Sequence, residues 1–183
     1  SALVAAQLPS TEPGHGGLDM AREGMPVVLP GAVQYDFVSR NTGRPYRVMI
    51  ATSGDVDPQK PVAAFYILND REFPAAVRHA GGGARFPRRP AIIVGIGWRS
   101  ENEFLVTGGN RQKINSRIDE FQRVVLDEVK PFVASRFKID ERQQTIYGHS
   151  LSGLTVVRML FEHPDAFSRF AASCPTIGGV EGL

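Results

Sequence analysis

Two uninterrupted apolar runs, VAAFYIL over residues 62–68 and AIIVGIG over residues 91–97, constrain the fold more than any other feature of this chain. Runs of that length without polar alternation belong to strands covered on both faces, as in a parallel sheet flanked by helices. Between them, FPAAVRHA reads as a short helix, with Pro74 suited to its first turn. Before them, VQYDFVS (33–39) alternates apolar and polar residues, RNTGRP supplies turn residues, and YRVMIAT (46–52) forms a second strand. That pair predicts a β-hairpin. From Ile114 the pattern turns helical: Ile114, Ile118, Phe121, Val124, Val125, Val129, Phe132, Val133 and Phe137 fall near one face, and Pro131 is expected to kink the helix. QTIYGHS then reads as a strand, LSGLTVVRMLFEH as a helix and FSRFAASC as another strand. Strands alternating with helices predict an α/β fold: a mostly parallel sheet with an N-terminal antiparallel hairpin.

The chain has 183 residues, enough for one domain with a substantial core. Residues 1–31, rich in Gly, Pro and small residues, are expected to form an extended arm, and residues 32–183 the α/β domain. A formal net charge of +2 gives no reason to expect nucleic acid as a partner. One cysteine excludes an intrachain disulfide framework and a multi-cysteine metal site. No apolar run approaches the roughly 20 residues that span a bilayer. The opening SALVAAQLPS lacks a methionine, so a true start is expected upstream. The compartment, cytoplasm or periplasm, stays open, and so does the oligomeric state. The GGG at 81–83 has no Lys-Ser behind it and opens no helix, so nucleotide binding is dismissed. Arg85, Arg88 and Arg89 precede a strand and read as a solvated basic patch away from its carboxyl end.

The stretch IYGHSLSGLTVV places Ser150 at a strand-to-helix bend. A serine hydroxyl becomes a useful nucleophile only when it is exposed, beside a base and beside oxyanion donors. A sharp elbow lifts the hydroxyl clear of the sheet and puts the next N–H, that of Leu151, at a helix N-terminus. Gly148 stands two positions before Ser150, and Ser152 occupies the place where G-x-S-x-G has its second glycine. The competing reading of Ser150 is a structural serine that caps the helix. His149 adjoins Ser150 but should point elsewhere in the turn, so it is not taken as the base.

The segments VQYDFVSRNTGRPYRVMIATS, PVAAFYILNDREFPAAVRHA, RPAIIVGIGW and DEFQRVVLDEVKPFVASRFKIDERQQTIYGHSLSGLTVVRMLFEHPDAFSRFAASCPTIGG occur in this order. Together they resemble the esterases of the α/β-hydrolase superfamily that include the enterobactin and salmochelin (siderophore) esterases. The resemblance implies an α/β-hydrolase fold and a serine hydrolase acting on carboxylic esters, with no metal or cofactor and a small-molecule ester as its partner. It also implies that the turn after the third strand supplies a second oxyanion N–H, from Asp70 or Arg71. The family commonly has Asp-Gly-Asn there; this chain has Asn69-Asp70-Arg71, and an inward carboxylate would repel an oxyanion. The segment between Phe104 and Gly108 is shorter than its family counterpart. The same fold carries acyltransferases, thioesterases and non-catalytic binding proteins, which stay open as alternatives.

In α/β-hydrolases the acid and the histidine follow the serine in the chain. Here only His163 follows, and a helix rise of ~1.5 Å per residue puts it near 20 Å from Ser150. His79 and His15 precede the elbow and read as surface or arm residues. The acid and base are therefore expected beyond residue 183, with the 183 residues lacking the C-terminal part of the fold. Ligands of open α/β sheets bind beyond the carboxyl ends of the strands. That makes Trp98, Arg99, His149 and Thr176 candidates for lining a substrate pocket, Trp98 as an aromatic wall or a residue merely buried at a strand end. Arg99 could pair with an anionic substrate group. Cys174 is discounted as a second nucleophile, since no partner for it is in sight.

Overall fold

A computed structural model describes residues 29, 31–80, 89–98 and 111–177, the last range without the side chains of residues 111–113. The expected arm lies outside the described residues except for residues 29 and 31, as do residues 81–88 and the segment around Phe104. Six strands form one sheet: β1 (Ala32–Val38), β2 (Pro45–Ser53), β3 (Val62–Ile67), β4 (Ala91–Trp98), β5 (Ile139–His149) and β6 (Arg169–Ser173). Their order is β1-β2-β4-β3-β5-β6. β1 and β2 are the antiparallel hairpin, β2 also runs antiparallel to β4, and β4, β3, β5 and β6 are mutually parallel. The helices are α1 (Phe73–Ala80), α2 (Arg111–Arg123), α3 (Lys130–Ala134) and α4 (Leu151–Glu162), with a 3-10 turn over Asp70–Glu72.

The parallel strands alternate their side chains between two covered faces. On one face Tyr46, Val48, Ile92, Val94, Ile96 and Ile146 meet Phe121, Val125, Val156 and Met159 of the long helices. The other face is thinner: Ala51, Ile67 and Ile93 pack under Phe73 of α1. Burial of each such large side chain contributes roughly 1.5–3 kcal/mol, so the first face carries most of the hydrophobic stabilisation. On the thinner face β4 presents two glycines in succession. A Cβ at Gly95 would come within 2.8 Å of Phe73, and one at Gly97 within 2.3 Å of the Asp70 carboxyl carbon. Both let the segment after β3 lie directly on the sheet.

The helix expected from Ile114 to Phe137 is broken by a change of pitch. Residues Val124–Val129 are π-helical and are followed at once by α3, with Pro131 in its first turn. Pro131 lacks an N–H and would crowd the carbonyl four residues earlier, and the wider pitch before it relieves that conflict. The kink expected at Pro131 thus takes the form of a π-helical stretch just upstream. The strand expected over residues 144–150 begins earlier, at Ile139.

Candidate active site

β5 runs straight into α4, and the bend falls on Ser150, with φ 57° and ψ −118°. A positive φ in a residue with a side chain costs about 1–3 kcal/mol and persists only where its surroundings enforce it. Here they do. Ser150 N–H donates to Ser173 O at 3.0 Å, and Ser150 O accepts from Leu154 N at 3.0 Å and from Thr176 N at 3.1 Å. The bend closes tightly as well: a Cβ at Gly148 would lie 2.3 Å from Ser152 O. Gly153 performs a second service, since a Cβ there would stand 3.1 Å from both Pro175 Cα and Ser173 O. Its absence lets the segment after β6 lie against the first turn of α4, which brings Thr176 to the elbow.

The Ser150 side chain is exposed and makes no capping bond to its helix. Its Oγ lies 3.2 Å from Thr176 Oγ1. Leu151 N–H is the first of α4, a position with no intrahelical acceptor and with the positive end of the helix dipole behind it. Ser152, in the place of the usual glycine, is 2 % exposed, and its hydroxyl has no hydrogen-bond partner among the described residues.

The turn after β3 comes to the same end of the sheet. Ile67 is paired with Tyr147, and Leu68 N–H continues the ladder to Tyr147 O at 2.9 Å, so Asp70 and Ser150 each lie three residues past the pair. Within the turn, Asn69 Oδ1 accepts from Arg71 N at 3.1 Å and Asn69 O from Glu72 N at 3.1 Å. Of the two candidate donors, Arg71 N–H is therefore already engaged, and Asp70 N–H has no bond inside the turn. The Asp70 carboxylate does not face the elbow hydroxyl; it rests over Gly97 on β4. Tyr147 lies beneath the turn, stacked on Phe65 at 6.2 Å. Burial, reinforced by the neighbouring Glu72 carboxylate, raises its phenol above the usual range.

The remaining candidates divide. Thr176 is brought to Ser150, as described. His149 is exposed, with Nδ1 3.2 Å from Ser173 Oγ. Trp98 is half-buried on the opposite face of the sheet from Asp70, its ring 4.2 Å from Phe121 and 6.0 Å from Tyr46, so the aromatic core takes most of it. Arg99 lies outside the described residues. His163 ends α4 as an exposed C-cap, and His79 Nδ1 lies 2.7 Å from Ala75 O on α1; neither is bonded to Ser150. No group of His, Cys, Asp and Glu suited to holding a metal occurs among the described residues. No described helix is long and apolar enough to cross a membrane. Sequence reasoning missed Gly97, whose bare backbone leaves the room that the Asp70 carboxylate occupies; the G-x-G within β4 was the available signal.

Residues 32–180 match the family described as Putative esterase. Among curated proteins, the ferri-bacillibactin esterase BesA of Bacillus subtilis strain 168 is 30% identical over 175 residues, covering 81% of this chain and 60% of its own length. The siderophore triacetylfusarinine C esterase of Aspergillus fumigatus is 24% identical over 180 residues, covering 83% of this chain and 58% of its own. This chain thus spans about three fifths of the length of these curated relatives. Among solved structures, the BES protein from Bacillus cereus superposes with a TM-score of 0.72 at 22% identity, covering 88% of this chain and 67% of that one. The fold is accordingly that of an α/β-hydrolase.

Proposed function

The chain belongs to the Esterase family, and from that membership we propose that it works as a serine esterase with Ser150 as its nucleophile. The observation that carries the reading is the Ser150 backbone: a side-chain-bearing residue held at φ 57° with its hydroxyl exposed and unused as a cap. Strain of this kind is kept where a site needs it.

In the proposed reaction Ser150 Oγ attacks the ester carbonyl and gives its proton to a general base. The oxyanion that forms is held by Leu151 N–H and Asp70 N–H. The base and the acid that orients it come from outside the described residues, since no described histidine is bonded to Ser150. Collapse of the tetrahedral intermediate breaks the ester C–O bond, and the base returns the proton to the leaving alcohol. Water then attacks the acyl-enzyme in the same site and restores Ser150. Thr176 Oγ1 stands where it can steady the serine hydroxyl before attack or touch the bound ester. His149, exposed beside the elbow, lines the same mouth. The substrate we propose is a siderophore-type ester, on the strength of the two relatives named for such activity.

The test is intact mass of the full-length protein before and after a fluorophosphonate. One adduct, absent in Ser150→Ala, is the expected result. A folded protein that gains no adduct would exclude the serine-hydrolase reading and leave a binding role for the elbow.

A further inference from the structure

The carboxylate of Asp70 poses a problem for an oxyanion turn. Asp70 supplies the proposed second N–H, and a negative side chain turned toward a developing oxyanion would oppose it. The fold answers with a row of residues across three strands. Asp36 of β1 is paired with Arg47 of β2, and Arg47 with Gly97 of β4. All three side-chain positions lie on the α1 face. Arg47 Nε donates to Asp36 Oδ1 at 2.9 Å and its Nη2 to Asp36 Oδ2 at 3.2 Å, a two-pronged contact that fixes the guanidinium along the row. Next to it, Gly97 offers bare backbone, and both Asp70 carboxylate oxygens lie 2.6 Å from where a Cβ would be. The Asp36 hydrogen bond is the chief cause of the raised pKa of Arg47; burial opposes it, and the charge of Asp70 adds to it.

Resting on the esterase reading, we infer that Arg47 is a positioning residue for the oxyanion turn: Gly97 gives the Asp70 side chain its place on β4, and Arg47, paired with Gly97 in the next strand, offsets its charge there, so that the Asp70 N–H and not its carboxylate faces the serine. Arg47 touches neither substrate nor Ser150 in this scheme. It acts through Asp70, and Asp36 acts only to orient Arg47.

Because the effect is on an oxyanion, it belongs to the transition state and is expected in kcat. With p-nitrophenyl butyrate and the full-length protein, Arg47→Met is expected to lower kcat about fivefold, with KM within about twofold. Arg47→Lys, which keeps the charge, should recover most of that loss. The deciding comparison repeats Arg47→Met in an Asp70→Asn background, where no carboxylate is left to offset. There the further loss is expected to vanish. Asp36→Asn, whose amide oxygen still accepts from Arg47 and keeps it in the row, is expected to stay within about twofold of the wild type. Should Arg47→Met fold poorly, Arg47→Gln keeps a donor for Asp36 while removing the charge, and the same fivefold loss is expected of it. An equal loss in both backgrounds, or a rise in KM at constant kcat, would overturn the role of Arg47 while leaving the esterase standing. A folded wild type without turnover would remove the esterase reading, and this inference with it.

Discussion

At Gly148 there is no space for even a methyl group, because the atom it would strike is the backbone carbonyl of Ser152, which cannot swing aside. The elbow is therefore built from two requirements at neighbouring positions, one for no side chain and one for a side chain at positive φ. Ser152 is where this chain departs from the G-x-S-x-G pattern, and the structure explains why the departure is tolerated. What α4 brings against Gly148 is its backbone, so the close approach does not depend on residue 152 being glycine. The Ser152 hydroxyl, however, is buried without a partner among the described residues. A buried hydroxyl left unpaired costs about 1–3 kcal/mol. Ser152→Ala removes that penalty and puts the best helix former in the first turn. It is expected to stabilise the protein by about 1 kcal/mol, or about 2–4 °C in melting temperature for a chain of this size. Thermal unfolding followed by circular dichroism checks it; a lower melting temperature would mean that the hydroxyl has a partner worth keeping.

The junction between the β1–β2 turn and the long helix works at the scale of elements. Glu128 lies in the π-helical stretch and reaches across to the turn. Its carboxylate accepts from Ser39 Oγ at 2.6 Å, from Arg40 N at 3.1 Å and from Asn41 N at 3.3 Å. Ser39 is 1 % exposed, so its hydroxyl has no water to fall back on. Glu128→Ala is expected to destabilise by about 1–3 kcal/mol through the orphaned donors, read as a lower urea midpoint at unchanged slope. A midpoint equal to the wild type's at unchanged slope would show that solvent replaces the carboxylate without loss. This junction was not legible in the sequence. The hairpin and the helix were, because alternation and helical periodicity are local signals that survive in one chain. A π-helical pitch has no such signature, and Pro131 marked only that something must give nearby. The candidate site divides in the same way. Ser150, Gly148 and Leu151 are neighbours, so their placement at one strand-to-helix bend could be read from a short stretch. That Arg71 N–H is spent on Asn69 is a local turn two residues long, of the kind Asn favours; that Asp70 lies on Gly97 depends on which strands pair, and pairing between distant segments is not written at either one. Trp98 illustrates the limit: its position after a buried strand left a pocket wall and a buried strand end equally open, and the face on which it stacks was set by register.

Across the whole molecule, the two faces of the sheet differ in how much they bury, and the thicker one holds ionisable groups whose protonation the fold constrains. Burial pushes the Tyr66 phenol far above its usual 10.0, and it raises that of Tyr46 as well. Tyr147, on the other face, is raised in the same direction. A phenol whose pKa is higher in the folded state than in the unfolded chain stabilises the fold fully below the unfolded value, and that stabilisation is lost as the pH rises above it. Stability should therefore fall from about pH 10 upward, as unfolded tyrosines ionise and folded ones do not. Lys130 works in the opposite sense: burial lowers its pKa below 10.5, so the penalty for a charged, partly buried ammonium fades as the pH approaches that value. The two effects meet near pH 10, with the tyrosines prevailing above it because they are more numerous and, for Tyr66, far more deeply buried. At one pH unit above the unfolded value, a tyrosine that stays protonated in the fold forfeits about 1.4 kcal/mol. Tyr66→Phe deletes that share. Its stability is expected to drop less than the wild type's between pH 8 and pH 11, by about 1.4 kcal/mol in the difference of the two drops, measured by urea unfolding at each pH. Equal drops in the two proteins would mean that the Tyr66 phenol ionises in the folded state as readily as in the unfolded chain, and that the thick face admits water at the sheet.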